Sequence, residues 1–288
     1  GVTLDSLSTF AGIAAASMEY YQWTDGLTPD TAGDGKHFYT ADSLFNLAQV
    51  GMEQMGASLL DGESLALDHP AYRRVWQAVF EPAVRGGYAI YDGYSSDLSK
   101  TGEIVCSTGS TAGILFYGDQ ITYPDNTTEQ VEYTVLPFPT FEGGKKIAIQ
   151  RGNGLVVARS TPEKEQAAVL FLKWFTQPEQ NMRFVASTGY LPVTEAAFEN
   201  SMDQEIATNE NVNIQKLLRT AVQVYSEYEF YIPPVFDSFN ALRSSYEADF
   251  LTAAGAAREE YCALLETTEP DAAYEAAVQG RFEAFTGR

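Results

Sequence analysis

The sequence predicts an α/β protein. Short apolar runs of strand character recur between segments of helical periodicity, and a helix-rich stretch follows Thr161. A chain of 288 residues, 45% of them hydrophobic, can also bury one large core or two smaller ones.

Taken in order, Ser8 reads as the cap of a helix through Phe10, Ile13, Ala14 and Ser17 to Tyr21, whose apolar residues share one face. Asp25 to Gly35 breaks the pattern, and Lys36–Thr40 is extended. Asp42 or Ser43 then caps a second helix with Leu44, Leu47, Ala48 and Gly51 on its inner face. Asp68, His69 and Pro70 open a third, with Tyr72, Val75, Trp76 and Val79 at helical spacing and Gly86-Gly87 as its stop. Ile104, Val105 and Cys106 read as a buried strand, after which Gly109, Ser110 and Thr111 begin a helix containing Ile114, Leu115 and Phe116. Val131–Phe138 reads as a strand ended by Pro137 and Pro139, and Lys146–Ala158 as a longer extended segment. Thr161-Pro162 starts an amphipathic helix carrying Ala168, Phe171, Leu172 and Phe175, and Pro178 starts the next, ending near Gly189. Further helices are expected over about Val212–Tyr225, Phe236–Leu265 and Asp271–Phe285.

Thirty-nine acidic against eighteen basic residues give a net charge of −21, which repels phosphate backbones and argues against nucleic acid and anionic membrane surfaces as partners. Neither a membrane-spanning stretch nor a signal peptide is visible, so the chain reads as mature or trimmed. Cys106 and Cys262 fit no metal-ligand spacing and read as free, partly buried thiols.

Catalytic patterns are weak. His37 and His69 stand beside no nucleophile or ligand cluster. In Gly109–Gly113 the serine is not centred between the glycines, so the segment is no nucleophile elbow. Gly152-Asn153-Gly154 has Val157 where a dinucleotide loop needs its third glycine. Asp119, Asp125, Asn126 and Glu129 do not follow a calcium loop and read as a solvated acidic turn. No cofactor is expected. Aromatic residues make up 13% of the chain, and rings that stack on sugar faces beside hydroxyl-binding Asp, Asn, Arg and Ser suit carbohydrate sites as well as cores.

The run Tyr133–Gly144, continuing as Ile147–Ser160, Glu163–Thr176 and Thr188–Val193, resembles family 1 extracellular solute-binding proteins, the sugar receptors of ABC importers. Ile104–Tyr117 resembles that family's strand and helix at the ligand cleft, and Leu7–Trp23 its helix after the first interlobe crossing. The resemblance implies a periplasmic-binding-protein-like (type II) fold with one nearly complete lobe, 1–147 and 192–288, and a partial excursion into the other, 148–191. It further implies an N-terminally truncated or processed chain, which in full-length form is an extracellular or periplasmic protein or lipoprotein. The implied function is non-enzymatic: binding a sugar or oligosaccharide and delivering it to a membrane permease. By the same resemblance the binding candidates are Asp42, Ser43, Ser110, Thr111, Phe239 and Arg243, with Tyr94, Arg151 and Phe236 as weaker additions. A carbohydrate-active enzyme with paired carboxylates and a cell-surface interaction module are the alternatives.

Overall fold

A computed structural model describes residues 2–31 and 33–287. Its first long helix, α1 (Phe10–Asp25), is capped by Thr9 rather than Ser8. Thr9 is extended and bridges Thr140, so its Oγ1 is free to accept from Gly12 N at 3.1 Å, whereas Ser8 closes a 3₁₀ turn and donates to Asp5 O at 2.7 Å. Strand β1 (Tyr39–Ala41) follows, and Ser43 caps α2 (Leu44–Gln54). A hairpin of β2 (Leu60–Asp61) and β3 (Ser64–Leu65), invisible to periodicity because each strand is two residues long, leads to α3 (Pro70–Arg85). His69 Nδ1 accepts from Ala71 N at 3.1 Å, and Gly86 ends α3 at φ 97°, where only glycine fits without strain.

The short helix α4 (Ser95–Lys100) precedes β4 (Cys106–Thr108), which pairs in parallel with β1, Tyr39 opposite Cys106. The strand therefore lies two residues beyond the expected Ile104–Cys106. Val105 N and Cys106 N both donate to Phe38 O, Ile104 is buried ahead of the ladder, and Val105 points to solvent. The expected α-helix after Gly109 is a 3₁₀ helix over Thr111–Phe116, with Leu115 and Phe116 exposed.

An antiparallel hairpin, β5 (Gln120–Thr122) and β6 (Thr128–Gln130), turns through Asn126 at φ 65° and carries the exposed acidic turn. The strand expected over Val131–Phe138 does not form. Its carbonyls are bound by side chains instead: Lys216 Nζ donates to Tyr133 O at 2.7 Å, Thr220 Oγ1 to Val135 O at 2.9 Å and Tyr228 OH to Phe138 O at 2.9 Å. Pro137 and Pro139 have no N–H for a ladder, so this arrangement satisfies the backbone where a sheet could not.

Of Lys146–Ala158 only β7 (Ile147–Ile149) is a strand; it pairs in parallel with β8 (Glu229–Tyr231), and residues 151–160 run exposed beyond it. The helices α5 (Pro162–Phe175) and α6 (Pro178–Thr188) form as expected. Next comes α7 (Glu195–Thr208), which the sequence reading missed because Ala197, Met202 and Ile206 are its only buried residues, a thin apolar stripe among acids. The chain continues with α8 (Val212–Glu227) and α9 (Phe239–Leu264). The single helix expected over Asp271–Phe285 is two, α10 (Pro270–Val278) and α11 (Arg281–Thr286), broken at Gly280, φ 72°.

Two cores result. The larger joins α1, α2, α3 and α9 to α11 around Phe10, Phe45, Tyr72, Trp76 and Phe250. The smaller joins α6, α7 and α8 through Met182, Val185, Met202 and Leu218, with Ile114 of the 3₁₀ helix packed against it. Helix α5 buries no residue at all. Its Leu170, Phe171 and Trp174, with Leu155 and Val156 of the preceding stretch, present an exposed apolar surface.

Candidate ligand-binding site

Two carboxylates organise the nine candidate residues. Glu247 lies on α9 one turn past Arg243, which is itself one turn past Phe239, so the three share a helix face. Glu247 Oε1 accepts from Ser43 Oγ at 2.6 Å and from Phe45 N at 3.2 Å, holding the start of α2 against α9. The same Ser43 Oγ accepts from Asn46 N at 3.2 Å, so one hydroxyl both caps its helix and anchors it. Asn46 Oδ1 in turn accepts from Arg151 Nη1 at 3.0 Å, and the Arg151 guanidinium stands over the Phe239 ring, 5.4 Å from its centroid.

The second carboxylate, Asp42, has a different set of partners. Its Oδ1 accepts from Ser95 N at 2.8 Å, and its backbone N–H donates to Thr108 O at the end of β4. Gly109 passes so close that a Cβ there would fall 2.4 Å from Asp42 Oδ2. This places Tyr94, immediately before Ser95, and Ser110 and Thr111, immediately after Gly109, on either side of Asp42. Tyr94 is 73% exposed with no side-chain role in capping α4, and Ser110 is exposed. Beside them a hydroxyl relay runs from Ser95 Oγ to Tyr117 OH (2.6 Å) and from there to Ser107 Oγ (2.7 Å).

The structure thus brings Ser43, Arg151, Phe239 and Arg243 together around Glu247, and Tyr94, Ser110 and Thr111 around Asp42. Phe239 is 7% exposed and packs edge-on against Phe45 and Phe236, so its ring belongs to the core, with Arg151 over it. Phe236 is half-buried on the same core. Arg243 Nε is buried without a hydrogen-bond partner. Burial first, then repulsion from Arg243, pulls the Arg151 pKa down, with attraction from Glu247 opposing them. Burial raises that of Tyr117, opposed by its bonds to Ser107 and Ser95.

Sequence reasoning missed Asn46, Glu247 and Tyr117. The signal for Glu247 was present, since it continues the Phe239–Arg243 spacing by one more turn. Tyr117 and Asn46 have no such mark, because their side-chain partners, Ser95, Ser107 and Arg151, fall at no helical or strand spacing from them. Among the described residues no three or more His, Cys, Asp or Glu side chains converge as a metal site requires. Both cysteines are free, and burial pushes the Cys106 thiol up to about 11.

The nine residues fall into two groups, with Tyr94, Ser110 and Arg151 exposed and Phe239 buried. None lines the small apolar hollow walled by Tyr39, Leu44, Val79 and Phe250, nor the open depression of about 570 Å³ beside Lys36, His37, Arg258 and Cys262.

The α/β body, with parallel strand pairs linking distant segments, has the periplasmic-binding-protein-like fold. The chain belongs to the bacterial extracellular solute-binding proteins, matching that family over residues 4–213. Solved structures agree on the fold. UgpB from Mycobacterium tuberculosis, in complex with glycerophosphocholine, is similar at TM-score 0.62 and 16% identity over 98% of this chain and 63% of its own. Maltose-bound T. maritima MalE3 is similar at TM-score 0.55 and 15% identity, over 97% of this chain and 65% of its own. An ABC transporter solute-binding protein from Agrobacterium radiobacter K84, in complex with ribitol, is similar at TM-score 0.53 and 15% identity, over 98% and 65%. The chain therefore spans less than two thirds of the length of these relatives. No curated protein matches it. Among the described residues no helix is long and apolar enough to cross a membrane.

Proposed function

We propose that the protein binds a small polyhydroxylated solute, a sugar or polyol, outside the cell and hands it to an ABC-type permease. The observation that carries this reading is the cluster at the start of α2, where Ser43, Asn46, Arg151 and Glu247 are already locked to one another by hydrogen bonds. Polar groups fixed before the ligand arrives bind hydroxyls at low entropic cost and penalise a solute that leaves them unpaired. Family membership, and relatives crystallised with maltose, ribitol and glycerophosphocholine, support a hydroxyl-rich ligand.

On this reading the exposed Tyr94 covers a ring of the solute, while Ser110 and Thr111 offer hydroxyls. We further propose that 1–147 and 192–288 form one lobe and 148–191 contributes to a second. The bare apolar surface of α5 supports that division, because a helix of its composition is normally covered. The solute would lie between the lobes, and closure would be a hinge motion. A thermal-shift screen of mono- and oligosaccharides and polyols tests the reading. A sugar or polyol that raises the melting temperature of the wild type, and does so less for Asn46→Ala, supports it. Hydrolysis of reporter glycosides would replace it with an enzyme.

A further inference from the structure

Arg151 stands over the Phe239 ring, 5.4 Å from its centroid, and Arg243 follows Phe239 by one turn of α9, so two guanidiniums share this neighbourhood in a chain whose net charge is −21. Like charges are not left adjacent without cost, and here acidic side chains are abundant. Yet among the described residues neither guanidinium has a carboxylate at ion-pair distance, while six other basic side chains do. Arg151 spends one N–H on the neutral Asn46, and Arg243 Nε is buried and bonds to nothing. Glu247, the acid nearest in role, has Oε1 taken by Ser43 Oγ and Phe45 N. Asp42 is turned to Ser95 N instead. The carboxylate that acts on Arg151, Glu247, thus has one oxygen already engaged, and Glu63, beside the start of α9, is held by Ser238 Oγ at 3.0 Å, so neither is ion-paired to Arg151 or Arg243.

From this we infer that the solute carries an anionic substituent, a carboxylate or a phosphate, held between Arg151 and Arg243. The inference deepens the solute-binding reading and rests on it. A planar fork of N–H donors matches either oxyanion with paired, charge-assisted bonds, which a neutral sugar hydroxyl cannot reproduce. An anion there would relieve the repulsion between the two arginines. The same pair would disfavour a cationic solute.

Calorimetric titration with glucose, glucuronate, glucose 6-phosphate and inorganic phosphate tests this. At least one of the two anionic sugars should bind about tenfold or more tighter than glucose, with an affinity that falls as salt rises. Which of the two does so separates carboxylate from phosphate recognition. Arg243→Gln and Arg151→Gln should each remove most of that preference, and Arg243→Lys, which keeps the charge but not the fork, should restore part of it. Unchanged melting temperatures for these variants exclude misfolding as the cause. Equal affinity for glucose and both anionic sugars, or a preference that survives both glutamine variants, overturns the inference and leaves the receptor reading standing. Failure of all four probes also overturns it, and the receptor reading then rests on its own sugar screen.

Discussion

Ser43 donates its hydroxyl hydrogen to Glu247 Oε1 at 2.6 Å, across 204 positions of sequence, while accepting from Asn46 N in its own helix. One side chain thereby caps α2 and fastens it to α9, the helix that carries Phe239, Arg243 and Glu247. Ser43→Ala should remove both bonds and strand Oε1 with Phe45 N as its remaining partner. The expected loss is about 1–2 kcal/mol of folding stability in urea titrations. Ser43→Thr, which keeps the hydroxyl, should recover most of it.

Phe239 is predicted to behave as a core residue. Its ring fills the space between Phe45 and Phe236, so Phe239→Ala should cost about 3–5 kcal/mol, and Phe239→Leu much less, by thermal or denaturant unfolding. Any effect of the alanine variant on solute affinity should follow from movement of Arg151, which stands over the ring.

The half-buried His37 gives stability a pH dependence of defined sign. Its Nδ1–H donates to Gly86 O at 2.7 Å, and burial holds the folded pKa below the ordinary histidine value. The unfolded chain therefore takes up a proton first as pH falls. The contribution of His37 is fully present above about pH 6.5 and is lost as pH drops from there toward the folded value. Chemical denaturation at pH 7.5 and pH 5.5 should show a smaller difference for His37→Gln than for the wild type, given roughly the pKa range of histidine.

Glycine positions make a further prediction. Gly189 ends α6 at φ 70°, and a Cβ there would fall 2.8 Å from Thr111 O, so the turn presses directly on the 3₁₀ helix that carries Thr111. Gly189→Ala should destabilise by about 1 kcal/mol or more from the backbone conformation alone. It should also disturb Ser110 and Thr111, visible as faster amide exchange there. Gly143→Ala, also at positive φ but in open space, should show only the first effect.

The exposed face of α5 should be a solubility determinant rather than a stability determinant. Leu170→Glu and Trp174→Ser are expected to lower aggregation, followed by light scattering, while changing the melting temperature little, since no α5 side chain is buried.

Much of the architecture was legible because caps and stops leave local marks. Ser43, His69-Pro70, Thr161-Pro162 and Gly189 each set an element boundary where the sequence placed it. What failed depended on partners far along the chain. The stretch over Val131–Phe138 has strand composition, but Lys216, Thr220 and Tyr228 claim its carbonyls. The register of β4 is set by Phe38 and Tyr39, more than sixty residues earlier, so its bounds could not be read from Ile104 and Val105. At the site, the residues suggested by family resemblance fall around Asp42 and Glu247, yet Phe239 is a core ring rather than an open platform. Glu247 joins them through a contact that only the packing of α9 on α2 creates.

Hydrogen exchange with and without a solute from the thermal-shift screen measures the central claim most directly. The account predicts slower exchange in the presence of solute at residues 42–46, 94–95 and 109–111, with protection extending to the start of α9. Protection confined to the depression beside His37, Arg258 and Cys262, with residues 42–46 unchanged, would contradict it.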